Sequence, residues 1–305
     1  MMGREGEEFS LLLELLKLLS ESEKITPTIA ERELGLTREE YETLVSVLKK
    51  YFMLREEKDT VILYRGDNLK ALHPWGWNYV HRVIVGSTMS MARKFPPWSV
   101  VIAEYQVYGK GRHGKTWIGS LGGLWVTYKI RLQAHLAQLL PIAIPVLLTR
   151  ILGEQFKMNA LIKWPNDIVV KDKKLAGILV EAEASGSDLM GYIGLGVNIN
   201  NDPPLETAAS LKELTGSLVP RNRVFSKLTG WISRIDKLVD KPELLRLEYL
   251  EKLSTLGKRV RIVMKDGEIV GNATSISELG ELIVETASGS VKVSSSEALK
   301  VIHLD

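Results

Sequence analysis

Three glycines and three cations alternate in residues 109–117, GKGRHGKTW, where Gly109, Gly111 and Gly114 are interleaved with Lys110, Arg112 and Lys115. Glycine lets main-chain N–H groups come close to a phosphate, and neighbouring cations supply the countercharge. Residues 105–153 contain six Lys or Arg and no Asp or Glu. Such a stretch suits a polyphosphate. It is neither a P-loop, whose Gly-Lys-Ser/Thr ending is missing, nor a dinucleotide fingerprint, whose glycine spacing differs. The plain alternative is a flexible basic surface loop.

Three further segments add chemistry. In KWPND, residues 163–167, Pro165 drives Trp164 toward an extended backbone where a strand would end, and Pro-Asn-Asp is also ordinary turn material. KLAGILVE places Lys174 just before an apolar run, and Gly177 inside that run predicts close approach by a ligand or another backbone. GLGVNIN, residues 194–200, repeats the strand glycine and ends in amides.

The elements that must position these groups follow from composition and period. The 305 residues are 45% hydrophobic and 25% charged, an ordinary globular balance long enough for two or three domains. A net charge of +3 is too small to mark a nucleic-acid binder. The absence of cysteine excludes disulfides, thiolate metal sites and cysteine nucleophiles. The acidic start MMGREGEEFS has none of the regions of a signal peptide, and the uncharged residues 132–149 carry Gln133, His135, Gln138, Pro141 and Pro145. We therefore expect a cytoplasmic protein without a membrane span, that stretch forming a buried amphipathic helix.

Leucines at helical spacing from Phe9, a break at Gly35, Thr26 before Pro27, and Thr37 with Glu40 three residues on predict three capped helices. The alternating residues 52–65 predict a hairpin behind them. Residues 1–66 thus read as a winged helix-turn-helix domain, which would set the helix starting near Arg38 in a major groove. The charges argue otherwise. That helix opens Arg38, Glu39, Glu40, Tyr41, Glu42, and residues 1–70 hold 11 Lys or Arg against 15 Asp or Glu, while residues 71–305 hold 29 against 22. A repressor shows the opposite asymmetry, so a regulatory or protein-contact module competes with DNA binding. At the other end, residues 255–305 predict four short strands joined by turns at Asp266-Gly267 and Gly280, a small barrel. The chain reads as α+β, with residues 67–254 between these modules holding nearly all the unusual chemistry.

Taken in order, the four chemical segments resemble those of the biotin protein ligases over most of the chain. EYQVYGKGRHGKTW is similar to that family's biotin and adenylate loop, KWPND to its central motif, KLAGILVE to its catalytic-lysine strand, and GLGVNINND to its closing strand and loop. The winged helix and the C-terminal small barrel resemble the long, bifunctional ligase/repressor branch. The resemblance implies a mixed-sheet catalytic domain of the biotin/lipoate ligase type and an SH3-like C-terminal barrel.

It also implies a reaction in two halves. The biotin carboxylate attacks the α-phosphate of Mg-ATP to give biotinyl-5′-AMP and pyrophosphate; a lysine amine of a biotin carboxyl carrier domain then attacks the mixed anhydride and expels AMP. Two anions meet in the first half, so fixed cations must neutralise the charge, with Lys110, Arg112 and Lys174 as candidates and Mg²⁺ held mainly by phosphate oxygens. By the same resemblance Ser87, Thr88 and Gln106 hold the ureido ring, the first two also serving as a helix N-cap. Gly109, Lys110, Lys174, Gly177 and Ile178 complete the biotin site, with Trp125 as a further wall. Gly111, Arg112, His113, Gly114, Lys115, Trp117, Asn166, Lys174 and Asn198 contact the adenylate, Trp117 alternatively packing in the core. Asp167 would position or deprotonate the incoming lysine. The chain departs from the family at Gly86, where an acid is usual, and at Lys110, where Arg is usual. Lipoate or octanoate transfer is the competing enzyme activity, a ligand-gated repressor the competing class, and a homodimer joined sheet to sheet is a further implication.

Overall fold

The protein is described by a computed structural model covering residues 2–185 and 188–304. Its N-terminal unit contains α1 (Met2–Ser22), β1 (Lys24–Ile25), α2 (Pro27–Leu34), α3 (Arg38–Leu48), β2 (Leu54–Glu57) and β3 (Thr60–Leu63). Thr26 accepts the Ile29 N–H at 3.3 Å and Pro27 opens α2, while Gly35 ends it at φ +69°. Thr37 and Glu40 form the capping box on α3, and the two strands after it pair with β1 in the order β1-β3-β2. Leu12, Leu15, Leu16 and Leu19 lie on one face of α1 and meet Leu44, Leu48, Phe52 and Leu63 in a core that also takes Leu121 from beyond the unit.

The central unit runs through β4 (Asn78–Val85), α4 (Thr88–Ala92), β5 (Ser99–Lys110), β6 (Thr116–Gly119), β7 (Leu124–Leu132), α5 (Ala134–Phe156), β8 (Leu161–Lys163), β9 (Asp167–Val170), β10 (Lys173–Ser185) and β11 (Asp188–Val197). Helices α6 (Leu211–Thr215), α7 (Asn222–Ile232), α8 (Ile235–Leu238) and α9 (Pro242–Lys252) follow. The strands form one mixed sheet, ordered β4-β5-β7-β11-β10-β9-β8 with β6 paired to β5; only the β4–β5 pairing is parallel.

Helix α5 corrects one expectation. It packs against the sheet on one side and α7 and α9 on the other, so its buried residues include consecutive runs such as Ile142 to Thr149 rather than a single stripe. By length and composition it is the one described helix that could cross a membrane, and 67% of its most apolar stretch is buried inside the protein.

The C-terminal unit has five strands, β12 (Arg259–Met264), β13 (Gly267–Ile276), β14 (Leu282–Thr286), β15 (Gly289–Val293) and β16 (Lys300–His303), in the antiparallel order β15-β14-β13-β12-β16. The fifth was not expected: KVIH is too short to show an alternation and becomes a strand only by pairing with β12. Val260, Ile262, Ala273 and Leu282 continue the core of the central unit.

Candidate active site

A cavity of about 510 Å³ opens over β10 and β11. Its floor is built from glycines whose missing side chains are replaced by neighbouring groups. A Cβ on Gly194 would lie 2.9 Å from Met89 Sδ, and a Cβ on Gly177 or Gly196 would meet the Trp117 ring at 2.6 and 2.5 Å. Gly177 lines the cavity, as expected of a position that leaves room for close approach, and the Trp117 indole also lies against it, because Gly177 and Gly196 are directly paired across the two strands and make one flat step. Trp125 stands behind Trp117, ring centroids 6.1 Å apart, and is fully buried with its indole N–H bonded to Ser120 O at 2.9 Å. It supports the wall without facing the cavity.

One end of this floor is polar and neutral. Thr88 donates from N and Oγ1 to Gln106 Oε1 at 2.8 and 3.0 Å, and Thr127 Oγ1 bonds Thr88 Oγ1 at 2.9 Å. Ser87 sits at the N-cap position of α4 but makes no side-chain cap bond; its buried hydroxyl has no protein partner and the residue lies just outside the cavity wall. The expected N-cap role of the hydroxyl is therefore corrected, since the α4 N-terminus is instead satisfied by Gln106.

The other end is charged. A bulge in β10 between Lys174 and Ala176 turns Lys174 toward the cavity. Lys174 Nζ lies 2.7 Å from Asp167 Oδ1 and 5.0 Å from the Trp117 ring centroid. Asn166 is fixed by reciprocal bonds with Ile178, Nδ2 to O at 2.7 Å and O from N at 3.0 Å. KWPND is thus both readings at once, the turn between β8 and β9 and part of the wall, anchored by Trp164 through Thr255 Oγ1 at 3.0 Å and Gly280 O at 2.9 Å.

The loop 110–116 closes the charged end. Arg112 reaches Asn166 Oδ1 at 3.4 Å, Ala298 O at 3.1 Å and Ser295 O. Lys115 Nζ donates to Leu299 O at 2.9 Å, and His113 Nε2 lies 2.9 Å from Ala298 O. Burial pulls the Arg112 guanidinium below its ordinary value against the attraction of Asp167. Of the residues singled out in the sequence, Thr88, Gln106, Lys110, Gly111, Arg112, His113, Lys115, Trp117, Asn166, Asp167, Lys174, Gly177, Ile178 and Asn198 line the cavity. Ser87, Gly109, Gly114 and Trp125 stand outside it. Gly109 serves the strand pairing, since a Cβ there would strike Trp117 O at 2.5 Å.

Sequence reading missed Met89, Leu179, Leu205 and residues 298–301, which also line the cavity. The apolar three carry no polar signature. The C-terminal segment contributes backbone carbonyls, which any residue provides, so nothing in its composition marks it.

A glycine-floored cavity on a mixed sheet, polar at one end and cationic at the other, with a β-sheet unit closing over its loop, defines a mixed α/β domain built to bind an anionic ligand, followed by a C-terminal β-sheet domain. Comparison with known proteins agrees. The Biotin/lipoate A/B protein ligase family matches residues 89–198, and the biotin protein ligase C-terminal domain matches residues 255–301. A biotin--[acetyl-CoA-carboxylase] ligase of Mycobacterium tuberculosis is 30% identical over 67% of this chain and 79% of that protein. The bifunctional ligase/repressor BirA of Bacillus subtilis is 27% identical over 73% of this chain and 74% of its own length. The biotin protein ligase of Aquifex aeolicus, solved with biotin and ATP, superposes with a TM-score of 0.64 at 26% identity, covering 74% of this chain and 99% of that one. The chain belongs to the biotin protein ligase family, and it is an enzyme.

Proposed function

We propose that the cavity binds biotin along the glycine floor and ATP at its charged end, and that the following residues carry the reaction. The protein is an ATP-dependent biotin ligase working through biotinyl-5′-AMP. The observation that supports this placement is the order of groups along paired strands: Thr88 and Met89 beside Gly194, then Trp117 over Gly196 and Gly177, then Lys174 and Asp167. From Leu179, opposite Gly194, to Lys174 is five residues, or roughly 16 Å of extended strand. A polar ring, an apolar chain and a terminal carboxylate fit that sequence of environments. A dithiolane ring would leave the Thr88–Gln106 hydrogen-bonding pair without use, which favours biotin over lipoate.

In the first half-reaction Lys174 exchanges Asp167 for the biotin carboxylate and α-phosphate, and Arg112 and Lys110 balance the remaining charge. That exchange frees Asp167. A lysine amine with an ordinary pKa near 10.4 is almost wholly protonated at neutral pH, so the released carboxylate is placed to take its proton as it attacks the anhydride. Arg112, tied to C-terminal carbonyls, holds the loop over the adenylate until that amine arrives. Among the described residues no three His, Asp or Glu side chains gather to hold an ion. Mg²⁺ would be carried by the phosphates, with Asn166 and Asp167 the nearest oxygen donors of the KWPND turn, and would supply charge neutralisation there.

The remaining assignments are of the same kind. The acceptor is a lysine of a biotin carboxyl carrier domain, the enzyme works in the cytoplasm, and its domains are residues 1–66, 67–254 and 255–305. Residues 1–66 read as a winged helix-turn-helix and the C-terminal unit as an SH3-like barrel. A homodimer joined sheet to sheet follows from the likeness to the ligase/repressor branch, and repression is the competing reading that the same likeness offers. Against repression, Arg38 is tied to Glu42 and Asp59 at 2.9 and 3.0 Å, Lys49 to Glu56 at 2.6 Å, and Arg55 to Glu57. The test mixes the protein with biotin, Mg-ATP and a carrier domain and follows carrier mass, with lipoate in parallel. We expect addition of one biotin and none of lipoate; lipoate addition, or no transfer by folded enzyme, would reject the assignment. Promoter DNA titrated at low salt with adenylate bound should show no retention, and tight binding would restore the repressor reading.

A further inference from the structure

Behind the neutral end of the cavity lies a buried ionic cluster that the reaction does not use. Arg221, just before α7, is wholly buried; its Nε bonds Asp67 Oδ1 at 2.6 Å, one terminal nitrogen donates to Asp67 O at 2.6 Å, and the other pairs with Glu104. Its guanidinium stacks on Phe52 at 4.8 Å. Glu104 Oε1 meets His81 Nε2 at 2.9 Å, and Asp67 Oδ2 accepts the Met53 N–H at 2.9 Å. Burial opposes the charge of Glu104, but Arg221 and then His81 outweigh it and hold that carboxyl down to about 2. For Asp67 burial prevails over Arg221 and raises the carboxyl above its ordinary value. Glu104 is therefore the ionised anchor.

The three charged groups come from β5, α7 and the segment leaving the N-terminal unit, so the cluster fixes all three against one another. A buried charge left without its partner is strongly unfavourable, which makes such a cluster hold or fail as a whole. Along β5 the constraint is continuous. Glu104 is held by Arg221, the Tyr105 ring meets Phe9 of α1 edge-on at 5.1 Å, and Gln106 takes both bonds from Thr88. Lys174 and Asp167 stand on β10 and β9, separated from β5 by β7 and β11.

We propose that Arg221 is a positioning residue for the biotin-binding end of the cavity, acting through Glu104 and β5 on Gln106, and that Phe9 makes the N-terminal unit part of the same brace. This rests on the assignment of Thr88 and Gln106 to biotin. A small displacement of β5 breaks the Gln106 bonds, whereas at the charged end Lys174 and Asp167 stand on β10 and β9, Arg112 and Lys115 are held by C-terminal carbonyls, and Lys110 alone of the named cations lies on β5. Biotin binding and ATP binding should therefore respond differently.

The test compares Glu104→Gln and Phe9→Ala with Leu245→Ala, a buried α9 substitution remote from the cavity. Biotin affinity is measured by calorimetry, and the KM values for biotin and ATP by pyrophosphate exchange. Glu104→Gln should weaken biotin about tenfold and Phe9→Ala about threefold, the scale of losing one or a fraction of a charged hydrogen bond, with ATP KM unchanged within about twofold. Leu245→Ala should lower the thermal midpoint and move neither KM. Parallel rises in both KM values, or a biotin loss in Leu245→Ala equal to that in Glu104→Gln, would overturn the proposal. If Glu104→Gln does not fold, unchanged biotin affinity in Phe9→Ala overturns it alone. Failure of the wild-type enzyme to bind biotin would reject the site assignment instead, so the two failures are distinct.

Discussion

Two regions of this molecule, the loop 110–116 and α3 with its hairpin, carry exposed or half-exposed cations, and they differ in what those cations touch. In the loop 110–116, Arg112 and Lys115 are held by the carbonyls of Ser295, Ala298 and Leu299. On α3 and its hairpin, Arg38, Lys49 and Arg55 each sit on a carboxylate. A carbonyl orients a cation without cancelling its charge, so the loop still attracts a phosphate. A carboxylate within ion-pair distance cancels it, and the far field of α3 falls away. The number of basic residues in a segment says little about anion binding until their partners are known.

The largest effect that sharpens this contrast is expected at Lys174, whose carboxylate partner is exchangeable. Lys174→Ala should slow adenylate formation roughly 10²–10³-fold, the usual loss on removing a group that stabilises developing charge. Pyrophosphate exchange at the wild-type rate would remove Lys174 from the mechanism. Next, Asp167→Ala should slow transfer to the carrier by roughly 10²-fold, more than it slows adenylation. Single-turnover assays of the two halves decide this, and equal losses would show that Asp167 serves Lys174 alone. Third, Arg112→Gly removes the bonds to Asn166, Ser295 and Ala298 together. We expect the adenylate to escape about tenfold faster or more, because charged hydrogen bonds are each worth ~1.5–3 kcal/mol. Biotin should then appear on bystander lysines, and unchanged adenylate retention would count against the clamp.

The sequence revealed these parts unequally. The caps at Thr26 and Thr37 are local, made within three residues, and they form where the residue types require. The four chemical segments were legible for a different reason, since glycines and cations cluster only where backbone or phosphate must approach. What closes the site was not legible. Residues 298–301 act through backbone and through a strand that exists only by pairing with β12, and Met89 and Leu179 are ordinary apolar residues until the sheet brings them beside Gly194. Trp117 shows the limit most clearly. Core packing and ligand contact are the alternatives its residue type offers, and the ring packs on two glycines, carries Lys174 over its face and still lines the cavity. Gly177 was singled out for closeness, and it is both pressed by the Trp117 ring and exposed to the cavity.

The smallest expected effect tests the α3 side of the comparison. If its charges serve the helix and not a ligand, disturbing them should cost stability and leave ligation alone. Thr37 Oγ1 accepts the Glu40 N–H at 3.3 Å, and Glu40 Oε2 takes the Thr37 N–H at 2.8 Å. Thr37→Ala should lower the stability of the N-terminal unit by about 1 kcal/mol with no change in carrier biotinylation. Those Thr37 bonds, backbone first and side chain second, hold the Glu40 carboxyl below its ordinary 4.5. A carboxyl lowered in the folded state stabilises fully above its unfolded value, and the contribution is lost as pH falls through the lower, folded value. Urea unfolding of the wild type should therefore lose the cap's share of stability only below pH 4.5. In Glu40→Gln that share is absent at neutral pH, so the gap between the two proteins should close on acidification. A gap that stays constant down to pH 2 would mean the Glu40 charge has no part in the cap, and an accompanying fall in ligation at neutral pH would place α3 in the catalytic cycle after all.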